Sequence, residues 1–423
     1  MLSRAFFALL VVAMASAQQH DLLLKGGHLI DPKNGIDAVM DVAVRDGRVS
    51  AVAANIDPSS ARRTLDAAGL YVTPGLVDIH THLYTTPNVK DAWAGDNSIQ
   101  PDAFSFRTGV TTMVDAGSAG WRNFEHFRFS VIDRAKTRVF ALINIAGFGM
   151  MTDFAEQGDF DPAEVARLAA KHKDVVVGVK SAHYQKPDWT SVDQAVAAGK
   201  SAGIPVMVDF GYFLAERPYW QLVTQHLRPG DITTHVFRSA VPWVDAKGNL
   251  YDYLKQARAR GVRFDLGHGG GSFTFRNAVP AIKQGFYPDS ISSDLHNGSM
   301  NAGMMDLPTT MSKMLALGMP MKDVVRASTW TPAQIIHREE VGHLTVGAAA
   351  DITVLRLNKG RFRYVDSHGG TFDGAERLTA EMTIRDGRIA WDWNGIGGAD
   401  YRKMAPDYGL RPGGADVIVP PPR

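Results

Sequence analysis

Eight short apolar runs restrict the fold of this chain more than any other feature. They are GLVDIHTH, GVTTMVDAG, RVFALINIAG, VVVGVKSA, PVMVDFG, DITTHVF, RFDLGHGG and SISSDLHN, in that order between residues 75 and 297. Strands buried on both faces of a parallel sheet read as such near-continuous runs. Helix-like stretches such as DPAEVARLAAKHK and SVDQAVAAGKSAG lie between them. Eight strand-then-helix units over about 260 residues fit a (β/α)8 barrel. The competing arrangement is an open doubly wound sheet, but no GxGxxG follows the first run. The expected fold is therefore α/β: a (β/α)8 TIM-like barrel over residues 73–340, with a small β-sandwich domain built from both termini.

That second domain is read from the flanks. Residues 18–72 and 341–395 hold short, partly alternating apolar segments punctuated by Gly and Asp. VRDGRVSAV in the first flank echoes IRDGRIAWD in the second, and each reads as a hairpin turning at Asp-Gly. Either flank alone is short for a stable sheet, so the two are expected to meet. Residues 396–423 are read as a C-terminal tail.

The first residues read as an export signal. Arg4 precedes an apolar run from Ala5 to Ala15, and Ala15-Ser16-Ala17 has the small-residue form of a cleavage site. The run is too short to span a bilayer comfortably. A signal peptide over residues 1–17 and a periplasmic or secreted mature protein are expected. Lys and Arg total 45 and Asp and Glu total 44, a net charge of +1. That balance gives no pull towards nucleic acid or an anionic membrane. The chain has no cysteine, which excludes disulfides and thiolate chemistry. The expected partner is a small-molecule substrate, with no membrane contact after signal cleavage and homo-oligomerisation left open.

The ends of the runs carry the chemistry. The first ends in His80 and His82, the fourth in Lys180, the fifth in Asp209, the sixth in His235, the seventh in His268 and the eighth in Asp294. In a barrel these are the C-terminal strand ends, where active sites are built. Residues i and i+2 on a strand share a face, so His80 and His82 point the same way. Two imidazoles with carboxylates suit Zn²⁺ or a similar divalent ion. A lone strand-end histidine is ordinarily a hydrogen-bonded surface residue; the register across several runs is what favours ligation. A lysine inside an apolar strand, as at Lys180, is costly unless paired or modified.

VTPGLVDIHTH followed by this series resembles the amidohydrolase superfamily of metal-dependent hydrolases. GAAADITVL (347–355) resembles that superfamily's returning β domain. GHGGGSF (267–273) and SSDLH (292–296) are similar to its deacetylase and D-aminoacylase-like branch. The resemblance covers nearly all of the mature chain. It implies one or two divalent ions, with zinc the expected metal. His80, His82 and Asp294 would hold one ion and His235 the other. Lys180 would be carboxylated by CO2, and its carbamate would bridge them. One position departs from the family pattern: Asp209 stands where a histidine usually ends the fifth strand. Three arrangements follow from that departure: Asp209 ligates the second metal, His183 takes that place, or the second site is weak and one metal suffices.

The implied reaction is hydrolysis of an amide by metal-activated water. Asp294 would take the water's proton and pass it to the leaving nitrogen. His268 is a second catalytic candidate, holding substrate or its oxyanion. Tyr184, Trp189, Tyr212, Arg217, Arg238 and Trp243 are candidates for selectivity, the two arginines as holders of a substrate carboxylate. The expected activity is deacylation of an N-acyl amino acid or related small molecule. A dihydroorotase-like cyclic amidase, a lactonase or esterase, and a metal-bound barrel kept as a binding protein are the alternatives.

Overall fold

Apolar patterning sorts the strands into two sheets. The structure, a computed structural model, describes residues 18–85, 93–150, 158–411 and positions 416, 419 and 421. The segment read as a signal peptide lies outside these residues. No helix among the described residues is long and apolar enough to cross a membrane.

The strands are β1 (Leu22–Asp31), β2 (Ile36–Arg45), β3 (Arg48–Ala53), β4 (Thr64–Asp66), β5 (Tyr71–Pro74), β6 (Leu76–Thr81), β7 (Val110–Gly120), β8 (Arg138–Asn144), β9 (Val176–Ala182), β10 (Val206–Asp209), β11 (Ile232–Thr233), β12 (Arg263–Phe264), β13 (Ile352–Val365), β14 (Thr371–Arg385) and β15 (Arg388–Asp392). One sheet runs β15-β14-β13-β5-β1-β2-β3, with β4 pairing to β1. Strands from both flanks thus share a sheet, joined where β13 pairs antiparallel with β5. The two echoing sequences form the same turn. Asp46-Gly47 and Asp386-Gly387 all have positive φ, as a two-residue primed hairpin turn requires. The far edge then rolls back: Val49 N donates to Ala348 O and Gly347 N to Val49 O. Leu24, Leu29, Val42, Val72, Ile352, Val354 and Ile384 fill the fold between.

The second sheet is parallel, in the order β12-β11-β10-β9-β8-β7-β6. The eighth run closes the ring without forming a regular strand. Isolated parallel bridges join Ser290 to Asp265 and Leu295 to Thr81. His268 N donates to Ser292 O, and His82 N to Leu295 O. The irregularity has local causes. Asp294 has φ +50°, outside the extended region. The hydroxyls of Ser290 and Ser292 are committed to Asp265, and that of Ser293 to Asp78. Towards the strand beginnings an apolar plug draws on consecutive strands: Val77, Val114, Leu142, Val177, Met207 and Ile232. The polar strand ends sit above that plug. The outer faces of the strands pack on helices such as Pro162–Lys171 and Thr190–Ala202.

Asp351 ties the two units together. It accepts from Arg138 at the start of β8 and from Arg385 at the end of β14 (3.1 Å). Asp351→Ala leaves the exposed Asp386 as the carboxylate near both guanidiniums among the described residues. Loss of about 2 kcal/mol in urea unfolding is expected for charges this enclosed. An unchanged midpoint would show that this junction contributes nothing.

Candidate functional site

The strand ends converge as the barrel requires. His80, His82, Lys180, Asp209, His235 and Asp294 are all buried. His82 Nε2 lies 3.1 Å and His80 Nε2 3.5 Å from Asp294 Oδ1. His235 Nε2 lies 3.9 Å from Asp294 Oδ2 and 3.3 Å from Asp209 Oδ2. Lys180 Nζ is 3.1 Å from His80 Nε2. His80, His235 and Asp294 offer ligand atoms that all lie within 4.8 Å of one another.

A second layer of hydrogen bonds aims the rings. Thr234 Oγ1 donates to Asp265, so its oxygen accepts the Nδ1–H of His80 at 2.9 Å. His82 Nδ1 meets Ser118 Oγ at 2.9 Å, and the Ser118 backbone N–H is held by Asp115. His235 Nδ1 donates to Gly267 O at 2.6 Å. Each Nε2 is thereby turned inward, the arrangement seen when histidines ligate metal. Burial, together with the Lys180 cation, pushes the His80 imidazole down to about 3. It is neutral at physiological pH, as ligation demands.

The carboxylates carry the opposite sign. Burial alone would raise Asp294, but His80, His82, His296 and His235 hold it below the usual range. Asp209 is likewise raised by burial and then held well below that range by His235 and His183. Both stay ionised. Yet Asp209 Oδ1 and Asp294 Oδ1 are buried without a hydrogen-bond partner among the described residues. Asp294 Oδ1 lies beside the inward-facing Nε2 atoms of His80 and His82, and an anionic oxygen left so fits a divalent cation, since buried charge is otherwise costly. Backbone geometry adds to the case. His183 (φ +60°), His235 (+58°) and Asp294 (+50°) occupy the left-handed region that non-glycine residues avoid.

His82, His183, Asp209, His235 and Asp294 line a cavity of about 310 Å³, together with Arg238, Ser272, His296 and glycines 270 and 271. Arg238 is the selectivity candidate that reaches it. Its guanidinium sits 3.8 Å from Asp209 Oδ1 and is partly exposed. Arg217 does not reach it: its buried side chain donates to Tyr184 O and Tyr212 O and ties two loops together. Trp243 is core, its Nε1 donating to Val236 O. Trp189 stacks on His226, and Tyr184 donates to Asp188. Tyr212 is exposed and accepts from Gln185.

The expectation of a substrate-holding His268 is corrected by its surroundings. Its Nδ1 donates to Gly269 O and its Nε2 accepts from Lys313 Nζ at 2.7 Å. The ring is fully buried and stacked on Phe273. Both nitrogens are committed, so the side chain is structural. Lys313, not foreseen from sequence, also donates to Gly303 O and Val365 O and pins this strand end to β13. His296 was also missed. Its Nδ1 accepts from Gly298 N at 3.1 Å, which leaves the proton of the neutral ring on Nε2, 3.9 Å from Asp294 Oδ2. Its signal was present: it lies two residues beyond Asp294 in SSDLH.

Known proteins resemble this arrangement. A model of the amidohydrolase family matches residues 272–390. A deacetylase of Brucella anthropi is 34% identical over 374 residues, 82% of this chain and 90% of that protein. A solved adenine deaminase superposes with a TM-score of 0.78 at 29% identity, covering 88% of this chain and all of that one (100%). A solved dihydroorotase gives 0.75 at 31% identity, covering 87% and 98%.

Gly269 (φ +55°) leaves the space that Asp294 occupies: a Cβ there would lie 2.3 Å from Asp294 Oδ2. Gly269→Ala should therefore stay folded by circular dichroism yet displace Asp294 and lose hydrolysis by about 100-fold. Full activity in that variant would mean that the position of Asp294 is not critical.

Proposed function

This chain belongs to the amidohydrolase family and is a hydrolase acting on carbon–nitrogen bonds, and from that premise we propose that it deacylates N-acyl amino acids or closely related small molecules with metal-activated water. The observation that carries the reading is the buried Asp294 carboxylate, whose Oδ1, without a hydrogen-bond partner among the described residues, faces the Nε2 atoms of His80 and His82, beside Asp209 Oδ2, which faces that of His235.

The residues fit one or two divalent ions. His80, His82 and Asp294 Oδ1 would hold one, and His235 with Asp209 the other. Zn²⁺ suits this mixture of imidazole and carboxylate. Lys180, fully buried with its amine against His80 Nε2 and Met207 Sδ, is the proposed carbamate between them. When bound, such ions supply Lewis acidity, making water nucleophilic near neutral pH and polarising a carbonyl.

The protein's own groups do the rest. Asp294 Oδ2, on the side facing His235 and His296, takes a proton from the attacking water and returns it to the leaving amine. Water adds to the acyl carbon, the carbon–nitrogen bond breaks, and a carboxylic acid and an amine leave. His296 Nε2–H points towards the cavity and donates to the substrate oxygen. Arg238 pairs with the substrate carboxylate from the cavity rim.

The similarity to a deacetylase over most of both chains supports a linear amide. A cyclic amide is the second reading, favoured by the likeness to the solved dihydroorotase. The products decide: acid plus amine from the first, one ring-opened product from the second. Export is also proposed, on Arg4, the apolar run and Ala15-Ser16-Ala17.

Chelator-stripped protein should lose turnover of N-acetyl amino acids and regain it with Zn²⁺. Asp294→Asn should lower kcat by about 100- to 10,000-fold with the fold retained. Turnover indifferent to chelation would sink the metal reading. Arg238→Gln should raise KM about tenfold, roughly 1.4 kcal/mol, for N-acetyl amino acids and leave their carboxamides unaffected. An equal effect on both would remove Arg238 from carboxylate recognition.

A further inference from the structure

Asp209 is a short side chain at a strand end where reach matters. Its Oδ2 is approached at 3.3 Å by His235 Nε2 and, from the opposite neighbour strand, at 3.3 Å by His183 Nε2. Two donors about 2.05 Å from one tetrahedral Zn²⁺ lie about 3.3 Å apart. Both contacts therefore have the length of a ligand–ligand edge.

His183 sits just past β9, three residues after Lys180. Its left-handed backbone is strained for a residue with a Cβ, and it shares that conformation with His235 and Asp294. Strain of this kind persists where the surrounding structure fixes it and clusters at functional sites. The chain also leaves the ring a path. A Cβ on Gly211 would lie 2.9 Å from His183 Cδ2, so glycine lets the imidazole cross the backbone after β10 to reach Asp209. The side chain lines the same cavity as Asp294 and is 21% exposed, unlike a core histidine. Charge favours the arrangement as well. A neutral imidazole adds a donor without adding to the negative charge that Asp209 brings.

We propose that His183 is a ligand of the second metal ion, which is held by Asp209, His183 and His235. This rests on the metal-dependent reading above. Since the triad already within 4.8 Å is His80, His235 and Asp294, binding would draw His183 and His235 together about Asp209 Oδ2. The imidazole absent from the end of β10 is thus supplied from the end of β9.

The test counts zinc per chain by mass spectrometry after loading the full-length protein and removing free ion. Wild type should hold about two ions and His183→Ala about one, since a lost ligand costs about 10- to 100-fold or more in affinity. Asp209→His combined with His183→Ala, which restores an imidazole to the end of β10, should return the count to about two. Two ions retained by His183→Ala, or only one in wild type, would overturn the proposal. No ion in wild type would overturn the metal reading itself, a distinguishable failure. A measurement on wild type needs no variant to fold: carbethoxylation of His183, read from its peptide mass, should be slowed about tenfold or more by zinc. A rate independent of zinc would leave His183 as a hydrogen-bond donor to Asp209 and no more.

Discussion

Two carboxylates held ionised in the interior, each with one oxygen that has no hydrogen-bond partner among the described residues, are the constraint from which the rest of this structure follows. Burial of a charge is tolerated only when something compensates it. The surrounding imidazoles hold Asp209 and Asp294 ionised, yet Oδ1 of each has no hydrogen-bond partner among the described residues. A divalent ion would compensate them. The scaffold is organised to keep this cluster assembled.

That organisation is layered. The apolar plug of Val77, Leu142, Met207 and Ile232 fixes the strands below. Thr234 with Asp265, Ser118 with Asp115, and Gly267 O fix the rings from behind. The left-handed backbone at His235 and Asp294 turns the chain out of the extended conformation at these two strand ends. Lys313 does for the seventh strand end what the hydroxyls do for the others, holding His268 as a strut between the helix Leu307–Ala316 and β13.

Much of this was legible in the sequence because it depends on period and position. Continuous apolar runs gave away the parallel strands. The repeated Arg-Asp-Gly-Arg gave away two like hairpins, and the i, i+2 spacing of His80 and His82 placed both on one face. What was not legible depends on contacts between distant residues. The eighth strand reads as a strand, but its serines bond Asp265 and Asp78 and its backbone turns at Asp294. His268 ends its run as the ligands do, yet a lysine from 45 residues further on occupies its ring. Arg217 and Arg238 are equivalent as letters; only the fold puts one under two carbonyls and the other on the cavity.

The central claim is that these side chains form a metal centre, and anomalous diffraction from crystals of the zinc-loaded protein tests it most directly. The account predicts a zinc peak about 2.0–2.2 Å from His80 Nε2, His82 Nε2 and Asp294 Oδ1. Well-ordered strand ends with no anomalous peak between those atoms would contradict it.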